Sequence, residues 1–315
     1  MSFFGILLAL LLEQARPLAR GNMVHAAMRA WVRWVVRSFD TGHPHHGWLV
    51  LWMAVGVPSL MALIVHWVLL LQLGWFAAMV WSVAVLYATL GFRQFSHRFT
   101  GIRDALEAGD EERARSLLAD WQQIDAHDLP RSEIIRHVIE HSVLAAHRHV
   151  FGVLSWYTVL AALGLGPAGA VFFRLAELVS RYWQHVSIQR GTPVSESART
   201  AAARVWRFAD WAPARITAMG FAVVGSFEDA VDSWRHHEVR YPGDNDGVII
   251  AATAGAVNVR LGDALLQQGV DQDVGTTIRP EPELAHLRSI VGLVWRSVVM
   301  WMVLLALLTL AHLLG

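Results

Sequence analysis

Residues 47–92 read GWLVLWMAVGVPSLMALIVHWVLLLQLGWFAAMVWSVAVLYATLGF, and this run decides the fold class. It stays apolar for 46 residues, with His66 and Gln72 as its main polar interruptions. A hydrocarbon core about 30 Å thick needs about 20 helical residues to cross it. Two spans therefore fit, roughly 48–70 and 74–92, joined by a tight turn near Gln72. Composition agrees with a membrane protein: 55% of the 315 residues are hydrophobic, fifteen are tryptophan, and mean hydropathy is +0.38.

Outward from this hairpin, the stretch 297–314 (SVVMWMVLLALLTLAHLL) predicts a further span, entered through Arg288 and Arg296. The opening MSFFGILLALLLEQARPLAR lacks the basic start and small-residue cleavage site of a signal peptide, so it reads as a short anchoring helix. Residues 22–38 place Met23, Ala27, Ala30, Trp31, Trp34 and Val35 at helical spacing, with Arg29, Arg33 and Arg37 on another face. Such a basic amphipathic helix suits either the plane of an anionic bilayer surface or packing on its own protein.

The polar stretch 93–149 predicts two short helices broken at Gly109, with Asp110 as an N-cap followed by Glu111 and Glu112. A third helix over about 131–149 follows Pro130. Residues 150–173 are apolar but interrupted by Gly164, Gly166, Pro167 and Gly169. Eight arginines in 93–149 and twelve in 174–288 favour a cytoplasmic location for both regions. An even number of crossings must then separate them, so 150–173 reads as a re-entrant hairpin turning at GLGPAG or as a partial span paired with another. Backbone of that kind must face protein or water.

Several chemistries are excluded. The chain has no cysteine, which removes disulfides and thiolate catalysis, and all 26 of its basic residues other than histidine are arginine. Without lysine there is no P-loop lysine and no Schiff base. Neither a dinucleotide-binding glycine pattern nor GxSxG nor HExxH occurs, and no feature points to nucleic acid.

Three constellations remain. Glu133, His137 and His141 share a helical face near Glu140, His147 and His149, and read either as a solvated surface or as metal ligands. HPHH at 43–46 is similar. The loop YPGDNDG, 241–247, offers Asp244, Asn245, Asp246 and Gly247 to Mg²⁺ or phosphate, before a small-residue helix suited to close packing. The stretch FADWAPARITAMGF, 208–221, brackets Pro213 with Asp210 and Arg215. Its proline could start a helix whose first amides attract an anion.

The order of these motifs resembles the CobD/CbiB family of integral membrane proteins of cobalamin biosynthesis, together with its AmpE branch. The synthase type is taken to join aminopropanol, or its phosphate, to adenosylcobyric acid in an ATP-dependent amide-forming reaction. The AmpE type is associated with β-lactamase regulation and cell-wall recycling. In the synthase motif ExxxENxxDGxxAP, Glu140 matches the first glutamate. Leu144, Ala145, Arg148 and Val153 stand where its second glutamate, asparagine, aspartate and proline would be. The NTLD motif appears as Arg174-Leu175-Ala176-Glu177, and Trp206 and Arg207 replace paired aspartates. DWAPAR resembles the AmpE form DWxPxR. Asn245, Gly247 and the AGAVNVRLG helix resemble the synthase element SPNxG instead.

The resulting expectation is an all-α integral membrane protein of the bacterial inner membrane. It is multi-pass, with about four or five membrane segments, one of them re-entrant, and a helical cytoplasmic portion. Its parts are 1–92 (anchor, amphipathic helix and hairpin), 93–288 (pocket region) and 289–315 (C-terminal span). The resemblance implies a pocket of Glu140, Arg148, Glu177, Asp210, Arg215, Asn245, Gly247 and Arg260. The favoured reading is an AmpE-like regulatory member that binds an anionic small molecule, either a corrinoid or a cell-wall fragment. The rival is an adenosylcobinamide-phosphate synthase in which Asp210, Asp244 and Asp246 hold Mg²⁺–ATP and the arginines meet phosphate.

Overall fold

The computed structural model describes residues 2–15, 23–43, 46–189, 194–262 and 279–314, and all regular structure among them is helical. Pro44 and His45 of the HPHH stretch lie outside the described residues. The helices are α1 (Ser2–Ala15), α2 (Met23–Phe39), α3 (His46–Leu51), α4 (Val57–Leu73), α5 (Trp75–Thr89), α6 (Phe92–Glu107) and α7 (Glu111–Gln122). They continue with α8 (Arg131–Ala146), α9 (Gly152–Ala162), α10 (Ala168–Gln189), α11 (Glu196–Val224), α12 (Phe227–Arg240), α13 (Asn245–Ala256) and α14 (Leu284–Leu314).

Among the described residues two helices are long and apolar enough to cross a membrane: His46–Leu73, with mean hydropathy 2.2, and Leu284–Ala311. The first is α3 and α4 joined through one π-turn, Trp52–Gly56. Pro58 supplies its cause, because a helix-interior proline has no N–H and crowds the carbonyl four residues back, here Ala54. The backbone widens, so the Val57 N–H bonds to Trp52 O, five residues away. Ala54 O instead accepts the Trp31 indole N–H at 3.3 Å, which pins α2 beside this helix. Gly74, at φ 83°, makes the hairpin turn. The second arm is shorter than expected: α5 has 15 residues, roughly 22 Å of rise, and ends at Thr89. The C-terminal apolar helix is longer than expected and begins at Leu284 rather than 297.

Chain contacts divide the molecule into two compact units. The first comprises 1–91, 148–213 and 305–315. Its core joins Val32 and Val35 of α2 to Val50 and Ala54, to Val179 and Trp183 of α10, and to Ala198 and Ala202 of α11. The broken segment is a helical hairpin here, with α9 packed on α10 and the chain reversing through Gly164 and Gly166. A Cβ on Gly169 would lie 2.2 Å from Trp156 O, so the two helices approach as closely as glycine permits.

The second unit comprises 92–147 and 214–304. The break at Gly109 and the cap at Asp110 are where the sequence put them, with the Arg113 N–H donating to Asp110 Oδ1 at 3.0 Å. The small-residue helix α13 packs on α12, and a Cβ on Gly255 would lie 2.2 Å from Asp229 O. One expectation is overturned. Pro213 does not start a helix but lies inside the 29-residue α11. Its missing N–H leaves Ala209 O without a backbone donor, and the Trp156 indole N–H supplies one at 2.8 Å.

Candidate functional site

The turn between α12 and α13 is the structural centre of the second unit's polar groups. Tyr241, Pro242 and Gly243 reverse the chain, which brings the last turn of α12 against the first turn of α13. Asp244 caps α13 by accepting the Gly247 N–H at Oδ1, 3.0 Å. Its Oδ2 lies 3.0 Å from His237 Nε2, and a carboxylate only accepts, so the imidazole donates. The His237 hydrogen bond, then the Gly247 N–H, hold the Asp244 carboxyl below the usual aspartate value against the opposing effect of burial. A Cβ on Gly247 would sit 2.0 Å from His237 Nε2 and 2.1 Å from Asp244 Oδ2, so a side chain there would displace this pair.

Arg215, on α11, ties the same turn from the other side. Its Nη1 donates to Asn245 Oδ1 at 3.0 Å and its Nε to Glu238 Oε1 at 3.0 Å, with Nη2 also on Glu238. The other oxygen of Glu238 accepts the Trp234 indole N–H at 2.9 Å. Two motif positions 30 residues apart, Arg215 and buried Asn245, thus meet directly. Sequence reading identified both. It missed Glu238, His237 and Trp234, although the i, i+4 spacing of Trp234 and Glu238 was a visible signal.

A second clamp holds the chain beyond α13. Glu140 Oε1 accepts the Gly262 N–H at 2.8 Å, and Arg136 Nη1 donates to Gly262 O at 2.8 Å. Both backbone groups of Gly262 are engaged, at φ 92°, where glycine is favoured. Arg136 also pairs with Glu133. Glu140 therefore positions a loop. Arg260 turns outward to Glu281 at 2.9 Å, and both side chains are exposed.

The remaining expected residues belong to the first unit. A π-turn, His147–Phe151, carries Arg148, which is buried. Glu177 is bridged by Arg174 Nη1 at 2.6 Å and Arg181 Nη1 at 3.2 Å, one turn before and one turn after it on α10. Burial alone would raise its pKa. Arg174, His149, Arg181 and Arg148 together outweigh that and bring it to about 2. Burial, then Arg174, pushes His149 well below its usual value. Asp210 is buried on α11. The expected pocket residues thus form two groups, one in each unit.

Among the described residues no three His, Asp or Glu side chains assemble to hold an ion. His141 instead stacks edge-on against Trp121, at 4.6 Å between ring centres. Asp244 spends one oxygen on its helix cap and the other on His237. Asp244 and Asp246 are two carboxylates, fewer than a protein-built Mg²⁺ cage needs.

Comparison with known proteins connects these positions to a family. Proteins named Cobalamin biosynthesis protein CobD are among the similar ones. That of Stutzerimonas stutzeri is 28% identical over 243 residues, 75% of this chain and 74% of its own length. That of Chromobacterium violaceum is 31% identical over 180 residues, 57% of this chain and 54% of its own length. That of Mycobacterium tuberculosis is 29% identical over 194 residues, 58% of each. No solved structure matches the chain. The family model described as CobD/Cbib protein matches residues 3–311, nearly the whole sequence, and the chain belongs to the CobD/CbiB family.

Proposed function

We propose that this protein is a multi-pass inner-membrane enzyme of cobalamin biosynthesis. It would form the amide between a corrinoid carboxylate, that of adenosylcobyric acid, and aminopropanol or its phosphate. The observation that carries this reading is the meeting of Arg215 with Asn245 at 3.0 Å, which joins two family motifs at one place. The names of the relatives support the same role and favour it over the regulatory one. Amide formation at a carboxylate requires activation, for which a nucleoside triphosphate serves as co-substrate. Arg215 is the planar fork suited to a carboxylate or phosphate, and Glu238 and Asn245 hold it in place.

Complementation tests the proposal. A strain lacking its synthase is grown under cobalamin limitation with this gene supplied. The wild type restores growth, whereas Arg215→Lys, at equal abundance, does not, because lysine keeps the charge and loses the fork. Failure of the wild type to restore growth, when it is expressed and membrane-inserted, overturns the reading. The AmpE-like regulatory role retains one specific support, the DWAPAR form of residues 210–215. It predicts no rescue and a change in β-lactamase induction instead.

A further inference from the structure

The helix α2 carries three arginines and no acid. Arg29, Arg33 and Arg37 are all exposed, and none has an acidic partner among the described residues. Like charges four residues apart on a helix repel one another, at a cost to the helix that a shared counter-anion removes. The opposite side of α2 is fixed: Val32 and Val35 are fully buried, and the Trp31 indole is bonded to Ala54 O. The helix therefore cannot roll its arginines inward, and its cationic face is a standing feature of the first unit.

What lies beside that face identifies its partner. The helix is pinned to the start of the 28-residue apolar helix His46–Leu73. At that same end three tryptophans are half exposed: Trp34 at 49%, Trp48 at 50% and Trp52 at 60%. Tryptophan concentrates where hydrocarbon meets headgroups, because its ring is apolar and its N–H is polar. A row of guanidiniums without carboxylate partners beside such tryptophans, at the end of an apolar helix, matches the phosphate layer of an anionic leaflet. A soluble anion would use the arginines and leave the tryptophans unexplained.

We infer that α2 is an interfacial helix that binds anionic phospholipid headgroups through Arg29, Arg33 and Arg37. Burial, then Arg174 and Arg29, lowers the pKa of His25 and disfavours its charged form. The helix thus presents charge chiefly through its arginines.

The test uses the full chain reconstituted in nanodiscs of equal parts phosphatidylcholine and phosphatidylglycerol. Lipid that remains bound after transfer to detergent is counted by native mass spectrometry. The wild type retains phosphatidylglycerol over phosphatidylcholine. Each single Arg→Gln change lowers that preference roughly fivefold, and the triple change lowers it on the order of a hundredfold. The triple Arg→Lys variant keeps most of it, which shows that the loss follows charge rather than folding. Three results overturn the inference: no preference in the wild type, an unchanged preference in the triple Gln variant, or equal displacement by inorganic phosphate. The last would identify a free-anion site in place of a lipid surface.

Discussion

Pro58 and Pro213 each sit inside a helix, and each leaves the carbonyl four residues earlier without its backbone donor. In both places an indole from another helix supplies the proton: Trp31 to Ala54 O, and Trp156 to Ala209 O. The pairing explains how an apolar chain tolerates interior prolines, since an unsatisfied carbonyl away from water costs about 1–3 kcal/mol. It also yields a double-mutant test. Trp156→Phe should lower stability by about 1–2 kcal/mol. In a Pro213→Ala background the same change should cost clearly less, because the substituted alanine brings a backbone N–H of its own to Ala209 O. Equal costs in the two backgrounds, measured by denaturant unfolding in detergent, would refute the pairing. Asp244 gives a pH prediction at this scale. Its folded pKa is lowered, so its contribution to stability is present above the ordinary aspartate value and is lost as pH falls through the lower folded value. The stability difference between wild type and Asp244→Asn should therefore be greatest near neutrality and shrink as pH falls below the ordinary aspartate range.

The α12–α13 pair shows what an element contributes beyond its residues. Glycine at 255 lets the two helices approach until Asp229 O and Ala230 Cα occupy the space of a side chain. Gly255→Ala should force them apart and destabilise the protein by about 1–3 kcal/mol, lowering its melting temperature. By contrast, alanine at Gly292, where a Cβ meets no atom within 4 Å, should be neutral or stabilising. Much at this scale was legible in the sequence. The break at Gly109, the cap at Asp110, the helix after Pro130 and the reversal at GLGPAG all announced themselves through local chemistry. Pro213 did not, because what keeps α11 continuous is an indole 57 residues away in sequence, and composition around a proline cannot show such a donor. Glu238 was missed for a related reason. It resembles any acid on a solvated helix until the turn at 241–243 folds Asn245 back and Arg215 closes on both.

At the scale of the molecule, the candidate residues separate by unit, and that separation bears on how the chain crosses the bilayer. Arg148, Glu177 and Asp210 belong to one unit, and Glu140, Arg215, Asn245 and Asp244 to the other. The hairpin of α9 and α10 returns the chain to the side from which it left, because α10 runs back along α9 after the turn at Gly164 and Gly166. In the topology we propose, this hairpin makes no net crossing, and the segments before and after it share a side. In that proposed topology the arginine counts of those segments, eight in 93–149 and twelve in 174–288, favour the cytoplasm for that side. Reporter enzymes fused at residue 125 and at residue 195 should therefore both report a cytoplasmic location. A periplasmic signal at 195 with a cytoplasmic one at 125 would mean that α9 and α10 together cross the bilayer. The re-entrant topology would then fall, and the polar groups of α10, including Glu177 and its arginines, would need a place in the membrane or beyond it.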